Sequence, residues 1–251
     1  MTTPKPSITL ILSLFPGIGL LDRAFEAEFP DACLVRGPDL LWGGDIHHFH
    51  PPSATFWGII GGPPCKSFSF ASAISRSRGS KPIHPNLIHE FERCINEAQP
   101  AWFVMENVRR APIPSPPSYT VRSLLLNNRW LGEAQHRLRR FSFGTRTGRT
   151  LAIEVALFEH PDWEYAVVGK AGGHLLLAGG KPKSRRVTER MLAAHHRPLA
   201  RLCELQGLPP TFLDTMPFTK AAKREAIANG VPLPMGRAIA RAVRNAMSDP
   251  G

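Results

Sequence analysis

Residues 8–14 form an almost unbroken apolar run, Ile8-Thr-Leu-Ile-Leu-Ser-Leu14, the mark of a strand buried on both faces. Phe15-Pro-Gly-Ile-Gly19 breaks the run, and residues 20–28 then take the spacing of a helix. Residues 32–35 predict a second short strand, and residues 55–60 a third that ends in Gly61-Gly-Pro-Pro64. A helical stretch over 87–98 leads into a fourth strand over 101–105. The Pro-rich segment 108–118 reads as loop. Strands are predicted again over 138–143 and 150–158, with further short ones within 166–177, and 179–186 is a basic loop. Helices follow over 189–206, 220–228 and 235–247, the last two separated by the turn Asn229-Gly-Val-Pro-Leu-Pro234. Strands alternating with helices, each strand closed by a glycine, proline or polar turn, predict an α/β fold with a doubly wound, Rossmann-like sheet.

Composition sharpens this picture in two ways. The 251 residues carry a formal charge of +11, and residues 121–201 hold fifteen Lys/Arg against six Asp/Glu. A basic excess of that kind suits a polyanionic partner such as nucleic acid, although a solvated basic face would look the same. Cys33, Cys65, Cys94 and Cys203 lie far apart with no C-x-x-C pair, which argues against a disulfide framework and for free thiols in a reducing cytoplasm. Met1–Ser7 is polar and the apolar run after it is too short to span a membrane, so neither export nor a membrane partner is expected.

In doubly wound sheets ligands bind at the carboxyl ends of the strands. The first, third and fourth strands deliver Phe15–Gly19, Gly61–Cys65 and Glu106-Asn107 to that edge. A glycine turn between strand and helix lets backbone approach a ligand, but the G-K-[ST] ending of a P-loop is absent. Asp39 suits ribose hydroxyls and Asp45 an adenine amino group, and either also suits a turn or cap. Cys65, next to Lys66 and stiffened by two glycines and two prolines, is either a nucleophile or a packed structural thiol. Glu106, at a strand end, is either a proton donor with a raised pKa or a loop carboxylate. Gln135-His-Arg-Leu-Arg139 predicts a strand with Gln135, Arg137 and Arg139 on one face. The crowded His47, His48 and His50, and the pair His195-His196, lack zinc-site spacing, so no metal is expected.

Together these segments resemble the DNA cytosine-5 methyltransferase family, in that family's usual order. Ser13-Leu-Phe-Pro-Gly-Ile-Gly19 is similar to its S-adenosyl-methionine motif, and Gly61-Gly-Pro-Pro-Cys-Lys-Ser-Phe-Ser69 to the motif with the catalytic cysteine. Glu106-Asn-Val108 and Gln135-His-Arg-Leu-Arg139 match two further signatures. Gln206-Gly-Leu-Pro209 and Ala228-Asn-Gly-Val-Pro232 resemble the segments that support target recognition and complete the cofactor pocket. The resemblance implies a SAM-binding catalytic domain over 1–143, a small, reduced, basic target-recognition region over 144–195, and a segment over 196–251 that returns to the catalytic domain. It implies that Cys65 attacks C6 of a cytosine flipped out of double-stranded DNA, with Glu106 at N3 and Arg137 at the cytosine carbonyl. Gln135, Arg139 and Asn107 would organise that pocket. Phe15, Gly17, Ile18, Gly19, Asp39, Asp45, Ile46, Pro64 and Asn229 would hold the cofactor, and residues 66–80 would close over the base.

The chain departs from the family pattern at several points. Ser13 stands where Asp is usual, Lys66 where Gln is usual, and the step from Asp39 to Asp45 is short. The Pro-rich segment 108–118 replaces a helix, and the small target-recognition region implies a monomer that reads a very short sequence, reads little beyond cytosine, or relies on a partner protein. Compact members of this kind are familiar from phages and prophages. Two other readings share these residues: the tRNA-modifying branch of the family, and a DNA-binding protein that kept the fold without catalysis.

Overall fold

The computed structural model describes residues 8–64, 86–167 and 196–248; Cys65, Lys66, the 66–80 loop, the 179–186 loop and most of the 166–177 strands lie outside them. Six strands form the main sheet: β1 (Thr9–Leu14), β2 (Ala32–Arg36), β3 (Gly58–Gly61), β4 (Trp102–Asn107), β5 (Thr120–Asn127) and β7 (Leu138–Thr145). Their order is β2-β1-β3-β4-β7-β5, and a separate two-stranded ladder joins β6 (Gln135–His136) to β8 (Glu164–Tyr165). β1 to β4 run parallel, while β7 runs antiparallel to both neighbours.

Alternation along the strands decides which helix covers which face. On one face Ile11, Ile60, Trp102 and Val104 pack under α1 (Leu20–Glu28) and α5 (Leu233–Ser248), through Leu21, Phe25, Met235 and Ile239. On the other, Leu12, Leu14, Ile59, Phe103 and Met105 pack against α2 (Ile88–Ala98) through Phe91, Cys94 and Ile95. Each of these fully buried apolar side chains contributes about 1.5–3 kcal/mol of transfer free energy. A third cluster joins Ile18 and Leu20 to α3 (Leu199–Leu205) and α4 (Lys220–Asn229), so the C-terminal segment is stitched onto the start of α1. Helices on both faces of a mostly parallel sheet are the doubly wound architecture that the hydrophobic pattern predicts.

Two predicted elements differ, and one strand was not predicted. Residues 150–158 form no strand; Leu151 and Ile153 rest on the α1/α5 face, while Val155, Leu157 and Phe158 are exposed. Of the predicted 189–206 helix, residues 189–195 lie outside the described residues, and α3 starts at Leu199 after Pro198, which lacks an N–H. β5, to which the hydrophobic pattern assigns no element, is an edge strand whose outer half is exposed.

Packing between β3 and β4 leaves no slack. A Cβ on Gly58 would lie 2.1 Å from Cζ2 of the fully buried Trp102. Gly58→Ala is therefore expected to cost about 1–3 kcal/mol, lowering the midpoint of a thermal melt by about 3–10 °C. An unchanged melt would show that Trp102 can move aside.

Candidate active site

The carboxyl ends of β1, β3 and β4 lie side by side, and antiparallel β7 begins at the same edge. That arrangement brings four separate stretches of sequence together. At β1 the chain turns through Phe15, Gly17 and Gly19, with φ of 56°, 55° and 75°. Glycine takes these left-handed values freely, whereas Phe15 does so at a cost of about 1–3 kcal/mol. Such strain collects at ligand-binding turns. Both polar atoms of Gly17 are held from the segment after β2: its N–H donates to Asp39 Oδ2 at 2.8 Å, and its carbonyl accepts from Trp42 Nε1 at 2.6 Å. Asp39 Oδ1 accepts from the Leu41 N–H and caps the short turn that presents Trp42.

Asp45 caps the next turn through the His47 N–H, and Arg93 on α2 holds that turn by donating to the Ile46 and Phe49 carbonyls. The Ile46 side chain is buried in the α2-side core, and Ile18 is buried against α3 and α4. Of the cofactor residues that the resemblance implies, these two therefore offer backbone, their side chains being committed to packing. Asn229 is exposed at the end of α4, beside Gly230, whose Cβ would lie 2.5 Å from Leu20 Cδ1. The returning segment thus touches the first residue of α1.

At β3 and β4 the geometry is tight. Asn107, itself buried, donates from Nδ2 to the Pro63 carbonyl at 3.1 Å and accepts the Val108 N–H on Oδ1. Glu106 projects toward the same turn: a Cβ on Gly62 would sit 3.3 Å from Glu106 Oε2. Pro64, exposed, is the last described residue before Cys65. Glu106 Oε1 is paired with Arg139 Nε at 2.9 Å. Burial pushes the Glu106 carboxyl above the usual carboxylate range; Arg139 and Arg137 pull it back, and desolvation wins because Glu106 is only 8% exposed.

The three residues of Gln135-His-Arg-Leu-Arg139 do not share one face. The run crosses from the small ladder to the main sheet at Arg137, and each side chain goes elsewhere. Gln135 donates to the Leu205 carbonyl and to Gln206 Oε1 at 3.3 Å. Arg137, 2% exposed, donates through Nη2 to the Ala228 and Gly230 carbonyls at 2.8 and 2.9 Å. Arg137, expected at a cytosine carbonyl, places its Nη2 on the returning segment, while Arg139 is the arginine paired with Glu106. Gln206, buried, completes the weld by donating to the Ile227 carbonyl at 2.6 Å.

Two further features had no signal in the sequence pattern. Trp42 lies in a short apolar run that reads as a loop. Ser13, where the family has Asp, donates from Oγ to Asp22 Oδ1 at 2.6 Å, and Arg36 Nε donates to Asp22 Oδ2 at 2.9 Å. The carboxylate beneath the glycine turn is thus supplied by the first turn of α1 instead of by β1. Burial raises the Asp22 carboxyl, with Ser13 and Arg36 opposing. No group of three or more potential metal ligands lies together among the described residues.

Comparison with known proteins bears directly on this constellation. The model of the family described as C-5 cytosine-specific DNA methylase matches residues 43–112, which span the Gly61–Pro64 turn and Glu106-Asn107. Type II methyltransferase M1.HphI of Haemophilus parahaemolyticus is 36% identical over 166 residues, 60% of this chain and 42% of the relative. Over residues 43–112 the chain is similar to the C-5 cytosine-specific DNA methylase family. A second relative, type II methyltransferase M.HgiDI of Herpetosiphon aurantiacus, is 34% identical over 100 residues, 36% of this chain and 31% of the relative. The matched part of the chain therefore spans less than half the length of these curated relatives.

Solved structures agree on the fold. The Entamoeba histolytica methyltransferase EhMeth superposes with a TM-score of 0.61 at 11% identity, over 97% of this chain and 100% of the other. A putative DNA modification methyltransferase encoded within an Escherichia coli prophage superposes with a TM-score of 0.56 at 18% identity, over 96% and 100%. The fold is the one these methyltransferases share. The glycine turn leaves room for a ligand: a Cβ on Gly17 would meet nothing within 4 Å, and Asp39 holds the Gly17 N–H beside that space.

Proposed function

We propose that this chain transfers the methyl group of S-adenosyl-methionine to carbon 5 of cytosine in DNA. The observation that carries this reading is the junction of β3 and β4. There the Asn107 amide fixes the Pro63 carbonyl, two residues before Cys65, while Glu106 projects toward Gly62 in the same turn.

The target cytosine leaves the duplex, at a cost of about a few kcal/mol, and enters this edge of the sheet. The Cys65 thiolate adds to C6, forming a C–S bond as the ring's C5–C6 double bond shifts its electron pair toward C5 and N3. Glu106, whose hold on a proton is strengthened by burial, donates to N3 and offsets the developing charge. Arg139 orients the Glu106 carboxyl through its 2.9 Å pair. Asp39, Asp45, Asn229 and the backbone of Phe15, Gly17 and Gly19 hold the donor, which when bound supplies an electrophilic methyl. Loss of the C5 proton to a base then expels Cys65 and restores the aromatic ring. The basic stretch 121–201 gives the chain its attraction for the phosphate backbone.

The test is to incubate the full chain with labelled S-adenosyl-methionine and either duplex DNA or tRNA, and to analyse the digested nucleosides. Labelled 5-methylcytosine from DNA is expected, and bisulfite sequencing of expressing cells would map its sequence context. Label in tRNA alone would transfer the reading to RNA, and label in neither would overturn catalysis.

A further inference from the structure

Arg36, the last residue of β2, is the cross-strand register partner of Ser13 on β1. Both point at Asp22, which is fully buried in the first turn of α1 and accepts Ser13 Oγ on one oxygen and Arg36 Nε on the other. The Arg36 side chain is nonetheless 56% exposed. Only its Nε is engaged among the described residues, and Nη2 lies 2.9 Å from where a Cβ on Gly19 would be. A guanidinium is thereby fixed by one edge against the glycine turn, and its two terminal nitrogens have no partner among the described residues. Asn229, exposed next to Gly230 where that glycine packs on Leu20, stands beside the same turn.

A planar cation held this way is suited to read a carboxylate through paired N–H donors. Resting on the methyl-donor reading above, we propose that Arg36 binds the amino-acid carboxylate of S-adenosyl-methionine, with Asp22 and Ser13 as the positioning residues that aim it. The donor carries one carboxylate, at its amino-acid end, and its adenosine end carries no anion. The arrangement also accounts for serine at position 13: a second carboxylate there would face Asp22 across the 2.6 Å now spanned by a hydroxyl.

The test compares two ligands by calorimetry on the full chain, without turnover: S-adenosylhomocysteine, which keeps the amino-acid end, and 5′-methylthioadenosine, which lacks it. Wild type should bind the first more tightly. Arg36→Met should weaken S-adenosylhomocysteine by about 10- to 100-fold while shifting methylthioadenosine by less than about twofold. Arg36→Lys, which keeps the charge and loses the fork, should recover part of the loss. Asp22→Asn, which unties Arg36 and leaves it in place, should fall between wild type and Arg36→Met, again for S-adenosylhomocysteine alone. Equal weakening of both ligands, or no weakening of either, would overturn the assignment. Wild-type protein that binds neither ligand would overturn the methyl-donor reading, and this assignment with it.

Discussion

Cys65→Ala is expected to lower methyl transfer to DNA by at least about ten-thousand-fold, because on the proposed mechanism its thiolate supplies the electron pair that opens the ring. The same variant should bind S-adenosylhomocysteine as wild type does, since the residues proposed to hold the donor do not include the thiol. A duplex carrying 5-fluorocytosine supplies a second readout. Fluorine cannot leave C5 as the proton does, so the wild-type protein should remain bonded to such DNA and the alanine variant should not. Methylation that survives in Cys65→Ala would remove the thiol from the mechanism.

Glu106→Gln is expected to lower kcat by about 10²- to 10⁴-fold, with little change in donor affinity. The amide keeps the volume at Gly62 and can still meet Arg139, but it cannot hand a proton to N3. The pH profile separates the proton from the shape. Glu106 is raised in the fold by burial, so it holds its proton above the usual carboxylate range. The wild-type rate should fall as pH climbs through that raised value, and the glutamine variant should lose this limb. Stability follows the same sign: a carboxyl raised on folding stabilises the native state at low pH, and that contribution is lost as pH rises through its folded pKa. Glu106→Gln should therefore gain stability relative to wild type on the alkaline side, as read by denaturant unfolding at several pH values.

β1, β3 and β4 are legible in the chain because a strand covered on both faces leaves an uninterrupted apolar run, and the turns after them carry glycine, proline or a polar pair. The site residues at those turns could be placed from that alone. β5 is not legible, since an edge strand with Thr120, Arg122 and Ser123 exposed shows its apolar side only near its end. Residues 150–158 mislead in the opposite sense, being β-prone but without a neighbour to pair with. The Gln135–Arg139 run alternates as a strand would, yet one residue of it spans the gap between two ladders, and that single step sends its side chains to three destinations. Arg137 and Arg139 are the same residue type two positions apart, so nothing local says which reaches Glu106. The Ser13, Asp22 and Arg36 contact joins two strands and a helix, a relation of position that no spacing within one segment encodes.

The seam between α1 and α5 also bears on how the protein is made. Leu21 and Phe25 on the first helix find their cover in Met235 and Ile239 on the last, and the bonds from Arg137 and Gln206 end on carbonyls between residues 227 and 230. A ribosome reaches those partners only after more than two hundred residues have been translated. Until then Leu21 and Phe25 lack the cover of the last helix, and Arg137 and Gln206 lack the carbonyls they hold. A chain cut short before residue 227 would therefore expose the apolar face of its first helix to other proteins.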